Sequence, residues 1–244
     1  MGEIVANSVL PAKRDIVHFT ASDGVRLVGE LATPLRPVRR TIVCLHPNPV
    51  QEGNMDSHVL RKLSWRFPAL FDCAVLRFNF RGVTSRAGSS EGVTDAGDRE
   101  GLDLAAALKF IDGRGLPRPW LVGWSFGTDV TLRHASGMDI EGAVLLSPPL
   151  RWTDTDDLDR WAASGKRLVC MIPELDTFLQ PAEARARFAR IPQAEIIEGP
   201  GSKHLWIGEP SVRQALQGIA HAVVGPDAEL PVEYHGPMER WSDL

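Results

Sequence analysis

"PWLVGWSFGTDV", Pro119 to Val130, is the stretch on which the reading of this chain turns. An apolar run climbs into Gly-Trp-Ser-Phe-Gly and then becomes polar. A serine bracketed by glycines at the end of a buried strand is either an ordinary tight turn or a nucleophile held on a strained elbow. At average glycine and serine usage the G-x-S-x-G pattern arises by chance in roughly one chain of this size in ten. Its surroundings must therefore decide.

Outward from that stretch, short apolar runs rich in β-branched residues recur: "RTIVCLHP", "CAVLRFNFRG", "IEGAVLLSPP", "KRLVCMIPELD" and "AEIIEGP". Segments with helical spacing lie between them, at about 55–70, 98–111, 127–135, 181–190 and 210–224. Strands alternating with helices imply parallel pairing through right-handed crossovers, with both sheet faces covered. Upstream, "DIVHFTAS" and "VRLVGELATP" flank Asp23-Gly24, a hairpin signal. The expected fold class is α/β: an N-terminal antiparallel hairpin entering a mostly parallel sheet of about eight strands. One domain over 1–244 is expected, with a polar, proline-broken tail at 225–244 that either hangs loose or lies on the body through Tyr234 and Trp241.

A hydrophobic fraction of 43% and a net charge of −4 suit a globular protein and give no basic face for nucleic acid or anionic membrane. Cys44, Cys73 and Cys170 sit in separate apolar runs, which argues against disulfides and zinc. No secretory signal or membrane-length apolar run is seen, so a cytoplasmic location is expected. No HExxH, CxxC or P-loop pattern appears, so no metal, nucleotide or other cofactor is expected. The Gly- and Ser-rich "RGVTSRAGSSEGVTDAGD" is read as a flexible crossover.

On a strand-to-helix turn, the glycines of G-x-S-x-G have a physical reason. The serine takes a strained conformation, and side chains two residues to either side would collide where strand and helix pass. A serine hydroxyl also needs a base, and the base needs an orienting group. In this arrangement the order along the chain is Ser, acid, His. After Ser125 come His134, too near and on the same helix, then His204, His221 and His235. His204 lies in the Gly-rich loop "GPGSKHLW" after the last strand and is favoured over His221, within a helix, and His235, in the tail. For the acid, "IPELDTFLQP" offers Glu174 and Asp176. Order and spacing favour Asp176, with Glu174 as the alternative. The oxyanion hole is expected from the N–H groups of Phe126 and, in "LHPNPVQEGNMD", of Asn48, since Pro47 and Pro49 have none. His46 is read as a loop brace.

These landmarks together resemble the α/β-hydrolase superfamily: "LHPNPVQEGNMDSHVL", "AVLRFNFRGVTSRAGSSEG", "LVGWSFG", "LDTFLQP" and "GSKHLW" follow its order along nearly the whole chain. The resemblance is to small lidless serine hydrolases whose loop reads His-Pro-x-Pro, with dienelactone hydrolases as more distant kin. It implies Ser125, Asp176 and His204 as the catalytic triad and Asn48 and Phe126 as oxyanion donors. Glu52 and Trp124 depart from the pattern.

Between "LLSPP" and "KRLVCM" there is room for one short helix capped by Asp154, too little for a lid. Trp152 and Trp161, with Trp124, are candidate pocket residues. The resulting expectation is a hydrolase of small carboxylic esters or thioesters, with a small-molecule substrate and no cofactor. An acyltransferase using the same triad, or a non-catalytic binding module, stands as the alternative.

Overall fold

The computed structural model describes residues 2–241. Eight strands form one sheet: β1 Lys13–Thr20, β2 Arg26–Thr33, β3 Arg40–Leu45, β4 Cys73–Phe78, β5 Pro119–Trp124, β6 Gly142–Leu146, β7 Arg167–Pro173 and β8 Ala194–Gly199. Their spatial order is β1-β2-β4-β3-β5-β6-β7-β8. The β1–β2 and β2–β4 pairs are antiparallel, and every other pair is parallel. This is the α/β-hydrolase fold that the sequence pattern anticipates.

Six helices cover the sheet: α1 His58–Phe71, α2 Glu100–Gly113, α3 Phe126–His134, α4 Thr155–Ser164, α5 Pro181–Phe188 and α6 Glu209–Val223. Each buries a stripe set by its spacing, such as Leu104, Ala107 and Ile111 on α2. Two cores result. Leu45, Leu76, Leu121 and Leu145 pack with α2 and α3 on one face of the sheet. On the other, Cys44, Val122, Trp124 and Met171 pack with α1 and α6. Each fully buried aliphatic side chain contributes about 1.5–3 kcal/mol by leaving water. All three cysteines are buried. Burial pushes the Cys44 and Cys73 thiols up to about 12, and raises that of Cys170 as well, so none competes as a nucleophile near neutral pH.

Between β6 and β7 the one helix is α4. Asp154 and Asp157 close a reciprocal capping box, each accepting the other's N–H at 2.9 Å. Leu158 and Trp161 are its buried face. Among the described residues no multi-helix cap roofs the carboxyl ends of the strands.

The crossover after β4 is tied down. Arg81 donates to Asp103 and Asp23, Glu100 accepts from Thr94, Asp95 and Gly97, and Thr84–Ser85 pairs with Gly88–Ser89. The flexibility expected from its composition is countered by these charged anchors. The tail takes the second of its two expected courses. Glu233–Tyr234 pairs with Gly2–Glu3, and Glu239–Arg240 pairs with Ser8–Val9. The Trp241 ring lies 5.1 Å from Trp65, with the Arg61 and Arg86 guanidiniums 5.0 and 4.2 Å from its centre. Residues 242–244 of the expected tail lie outside the described residues. No helix among those described is long and apolar enough to cross a membrane.

Candidate active site

Ser125 follows β5 directly and has φ 50° and ψ −114°, a region costing an L-residue on the order of 1 kcal/mol or more. Its N–H donates to Leu146 O at 2.9 Å, and its carbonyl accepts from Thr128 N–H at 2.8 Å. Those bonds hold the main chain while leaving Oγ free of the helix it precedes. The bracketing glycines are required by close approach. A Cβ on Gly123 would stand 2.7 Å from Gly127 O, and one on Gly127 would stand 2.2 Å from Leu45 O. The start of α3 is thereby pressed against the end of β3, where the loop carrying Asn48 begins.

His204 Nε2 lies 2.9 Å from Ser125 Oγ. On the ring's other side Nδ1 lies 2.8 and 3.1 Å from the two carboxylate oxygens of Asp176. An ionised carboxylate only accepts, so Nδ1 carries the proton and Nε2 is left to accept from the serine. Asp176 is 2% exposed and takes a further N–H from Phe178 at 2.8 Å. The Phe178 ring lies 4.5 Å from the imidazole. Glu174 is exposed and serves elsewhere, accepting the Gly201 N–H at 2.7 Å. It staples the His204 loop to the end of β7 rather than touching the imidazole. His134 bonds Gly97 O, His221 meets Gln217 on α6, and neither reaches Ser125.

Asn48 caps a turn of 3-10 helix at Pro49–Gln51, its side chain accepting from Val50 N–H at 3.0 Å. Its main-chain N–H donates to no other group among the described residues, and nor does that of Phe126, the first residue of α3. The helix dipole adds positive potential at Phe126. Glu52 is exposed, at φ 64°.

His46 braces this loop from within. Its Nδ1 meets Pro47 O at 2.7 Å and its Nε2 accepts from Phe80 N–H at 3.1 Å. Burial pushes the imidazole down to about 4. The folded pKa is depressed, so the neutral ring's contribution is fully present above the unfolded value near 6.5. It is lost as pH falls from there toward 4, a difference of order 3 kcal/mol. Urea melts of wild type should lose stability over that window. His46→Gln, less stable at pH 7, should show a flatter dependence. An equally steep variant would assign the titration to another group.

Of the three candidate pocket tryptophans, Trp152 packs on Phe126, the residue after Ser125. Trp152 is half-buried, 5.4 Å edge-on from the Phe126 ring, and its loop is held by the buried Asp129 carboxylate, which accepts from Trp152 N–H at 3.2 Å and Thr153 N–H at 3.0 Å. Trp161 is fully buried and donates to Leu132 O at 3.1 Å, so it belongs to the α3–α4 packing instead. Trp124 faces the α1–α6 core at 2% exposure, its indole N–H directed at His204 O, 3.3 Å away. It supports the His204 loop from behind rather than bordering a pocket. Two residues the sequence did not single out also reach that loop: Ser147, directly after β6 at φ 50°, and the fully buried Trp206 at φ 49°. A serine at the carboxyl end of a strand, in "LLSPP", was the available signal for the first. Val50, Phe178 and Leu205 are exposed beside the site residues, so its surround carries apolar surface.

Compared with known proteins, the chain matches the model of the alpha/beta hydrolase family over residues 42–241. It is 31% identical over 139 residues to the uncharacterized protein RP471 of Rickettsia prowazekii, 55% of this chain and 55% of that protein. The chain thus spans about half the length of that curated relative. Among solved structures it superposes on XC6422 of Xanthomonas campestris, an α/β serine hydrolase without lid, with TM-score 0.72 and 23% identity over 91% of this chain and 99% of that one. The Pyrococcus furiosus esterase Pf2001 gives TM-score 0.64 and 22% identity over 88% and 94%. At such identities these likenesses speak for the fold.

Proposed function

Since this chain belongs to the α/β-hydrolase family, we propose that it is a serine hydrolase cleaving carboxylic esters or thioesters of small acyl groups. One observation carries the reading: Ser125 Oγ, both imidazole nitrogens of His204 and the Asp176 carboxylate lie in one hydrogen-bonded line.

In this reading Ser125 Oγ attacks the substrate carbonyl carbon while its proton passes to His204 Nε2. The imidazolium so formed is stabilised by Asp176 behind it. Negative charge develops on the carbonyl oxygen and is met by the N–H groups of Asn48 and Phe126, each donor of this kind being worth about 10²–10³ in rate. His204 then returns the proton to the departing alcohol or thiol, leaving an acyl-Ser125. Water attacks that ester with His204 again as base, and Ser125 is regenerated.

A short acyl preference is inferred from the room available. Only α4 stands between β6 and β7, and the half-buried Trp152 packs edge-on against Phe126, next to Ser125. The test has two parts. A fluorophosphonate probe should label the native protein at Ser125, located by peptide mass spectrometry. Among p-nitrophenyl esters, kcat/KM should favour acetyl and butyryl over octanoyl by about tenfold. Labelling elsewhere would remove Ser125 as nucleophile. A preference for octanoyl would overturn the small-acyl assignment alone.

A further inference from the structure

The main chain of His204 is held as deliberately as its ring. Ser147 Oγ donates to the His204 carbonyl at 2.9 Å. Trp206 Nε1–H donates to the same Oγ at 2.9 Å. An indole N–H can only donate, so it occupies the hydroxyl's acceptor side and leaves the single hydroxyl proton pointing at His204 O. The Trp124 indole N–H, 3.3 Å away, is directed at that same carbonyl. Ser147 and Trp206 are buried at 1% and 0% exposure. A well-packed alanine and phenylalanine would fill these two positions without either polar group.

The neighbours of Ser147 join this carbonyl to the rest of the site. Leu146 O accepts the Ser125 N–H at 2.9 Å, and the Ser147 N–H donates to Met171 O at 2.9 Å on β7, the strand leading to Asp176. Two adjacent residues at the end of β6 therefore bond the nucleophile's main chain, the base's main chain and the strand that delivers the acid. Asp176 fixes one end of the histidine and Ser147 the other. The 2.9 Å separation of Nε2 from Ser125 Oγ follows from both anchors.

We infer that Ser147, oriented by Trp206, is a positioning residue that sets the register of the base against the nucleophile. The inference rests on the hydrolase reading above for its kinetic consequence, while its structural consequence can be read without turnover. Glycine accepts the φ of 50° at position 147 without strain, so Ser147→Gly removes the hydroxyl without adding φ strain. Trp206→Phe keeps an aromatic ring and removes the donor that orients the hydroxyl.

For wild type and both variants, active sites are counted by fluorophosphonate labelling, and kcat and KM are measured with p-nitrophenyl butyrate. The downfield proton resonance of His204 Nδ1–H is recorded in parallel. In Ser147→Gly, kcat per labelled site should fall about 10–100-fold, the scale of a base displaced by a fraction of an ångström to one ångström. KM should stay within about twofold, and the resonance should broaden or shift. Trp206→Phe should move the same readouts in the same direction by a smaller factor. A residue that only aids folding would lower the number of labelled sites and leave kcat per site and the resonance unchanged, and that result in a folded Ser147→Gly overturns the inference. Should Ser147→Gly fail to fold, Trp206→Phe decides by the same criterion. A wild type that neither labels nor hydrolyses esters would refute the hydrolase reading, while the resonance comparison would still decide the positioning role.

Discussion

Ser125→Ala is expected to lower kcat/KM for short esters by about ten-thousandfold or more, with KM little changed, because loss of a triad nucleophile leaves only binding and oxyanion stabilisation. The melting temperature should move by no more than a few degrees. Alanine inherits the same φ of 50°, and the main-chain bonds from Ser125 N–H to Leu146 O and from Thr128 N–H to Ser125 O do not involve the hydroxyl. The side-chain hydrogen bond removed is that to His204 Nε2. Fluorophosphonate labelling should vanish with activity. A variant retaining activity within about tenfold of wild type would exclude the acyl-enzyme mechanism. Circular dichroism of the same sample separates lost chemistry from lost structure.

Gly127→Ala should cost more stability than the same methyl addition at Gly123. Its Cβ would sit 2.2 Å from Leu45 O, 2.7 Å from Leu45 C and 2.9 Å from Leu45 Cβ. These are atoms of a central strand paired on both sides, to β4 and β5, so neither strand nor helix can yield cheaply. Overpacking of this kind costs about 3 kcal/mol or more, a large part of the 5–15 kcal/mol that typically holds a domain together. The melting temperature should fall by about 10 °C, taking roughly 2–4 °C per kcal/mol for a chain of this size. Gly137→Ala is the control. Nothing lies within 4 Å of a Cβ there, and its effect should stay within about 0.5 kcal/mol. Equal melting temperatures for the two variants would show that the elbow relaxes in a way its packing does not suggest.

The parts of the site most legible in the sequence were those set by main-chain geometry and chain order. Gly123 and Gly127 mark a place where backbones touch, and only one residue type allows that. His204 stands out because it follows the last strand in a Gly-rich loop. What escaped the sequence was which way large side chains face. All six residues of β5 are buried, so no alternation of polar and apolar residues betrays its two faces. Trp124 shares the α1–α6 face with Trp120 and Val122, as the period of two requires, but that face could be identified only once the helices were placed. Trp161, read from the sequence as a candidate pocket residue, lies on the buried face of α4, and what that face covers is α3 rather than substrate space. The choice between Glu174 and Asp176 turned on a two-residue step in a turn. Ser147 gave almost no signal, because its role depends on a carbonyl 57 residues away in the chain.

Three non-glycine residues around His204 have a positive φ: Ser125, Ser147 and Trp206, at 50°, 50° and 49°. For anyone engineering this protein, that clustering defines where two selections pull apart. A library screened for heat resistance alone should enrich glycine at position 125, because relieving such a backbone releases on the order of 1 kcal/mol, whereas glycine at the fully buried Trp206 would leave a cavity costing about 3–5 kcal/mol. Winners of that screen would be tougher and catalytically blunted. A stabilisation campaign on this chain is better served by holding 125, 147 and 206 constant and drawing its gains from unstrained surface sites.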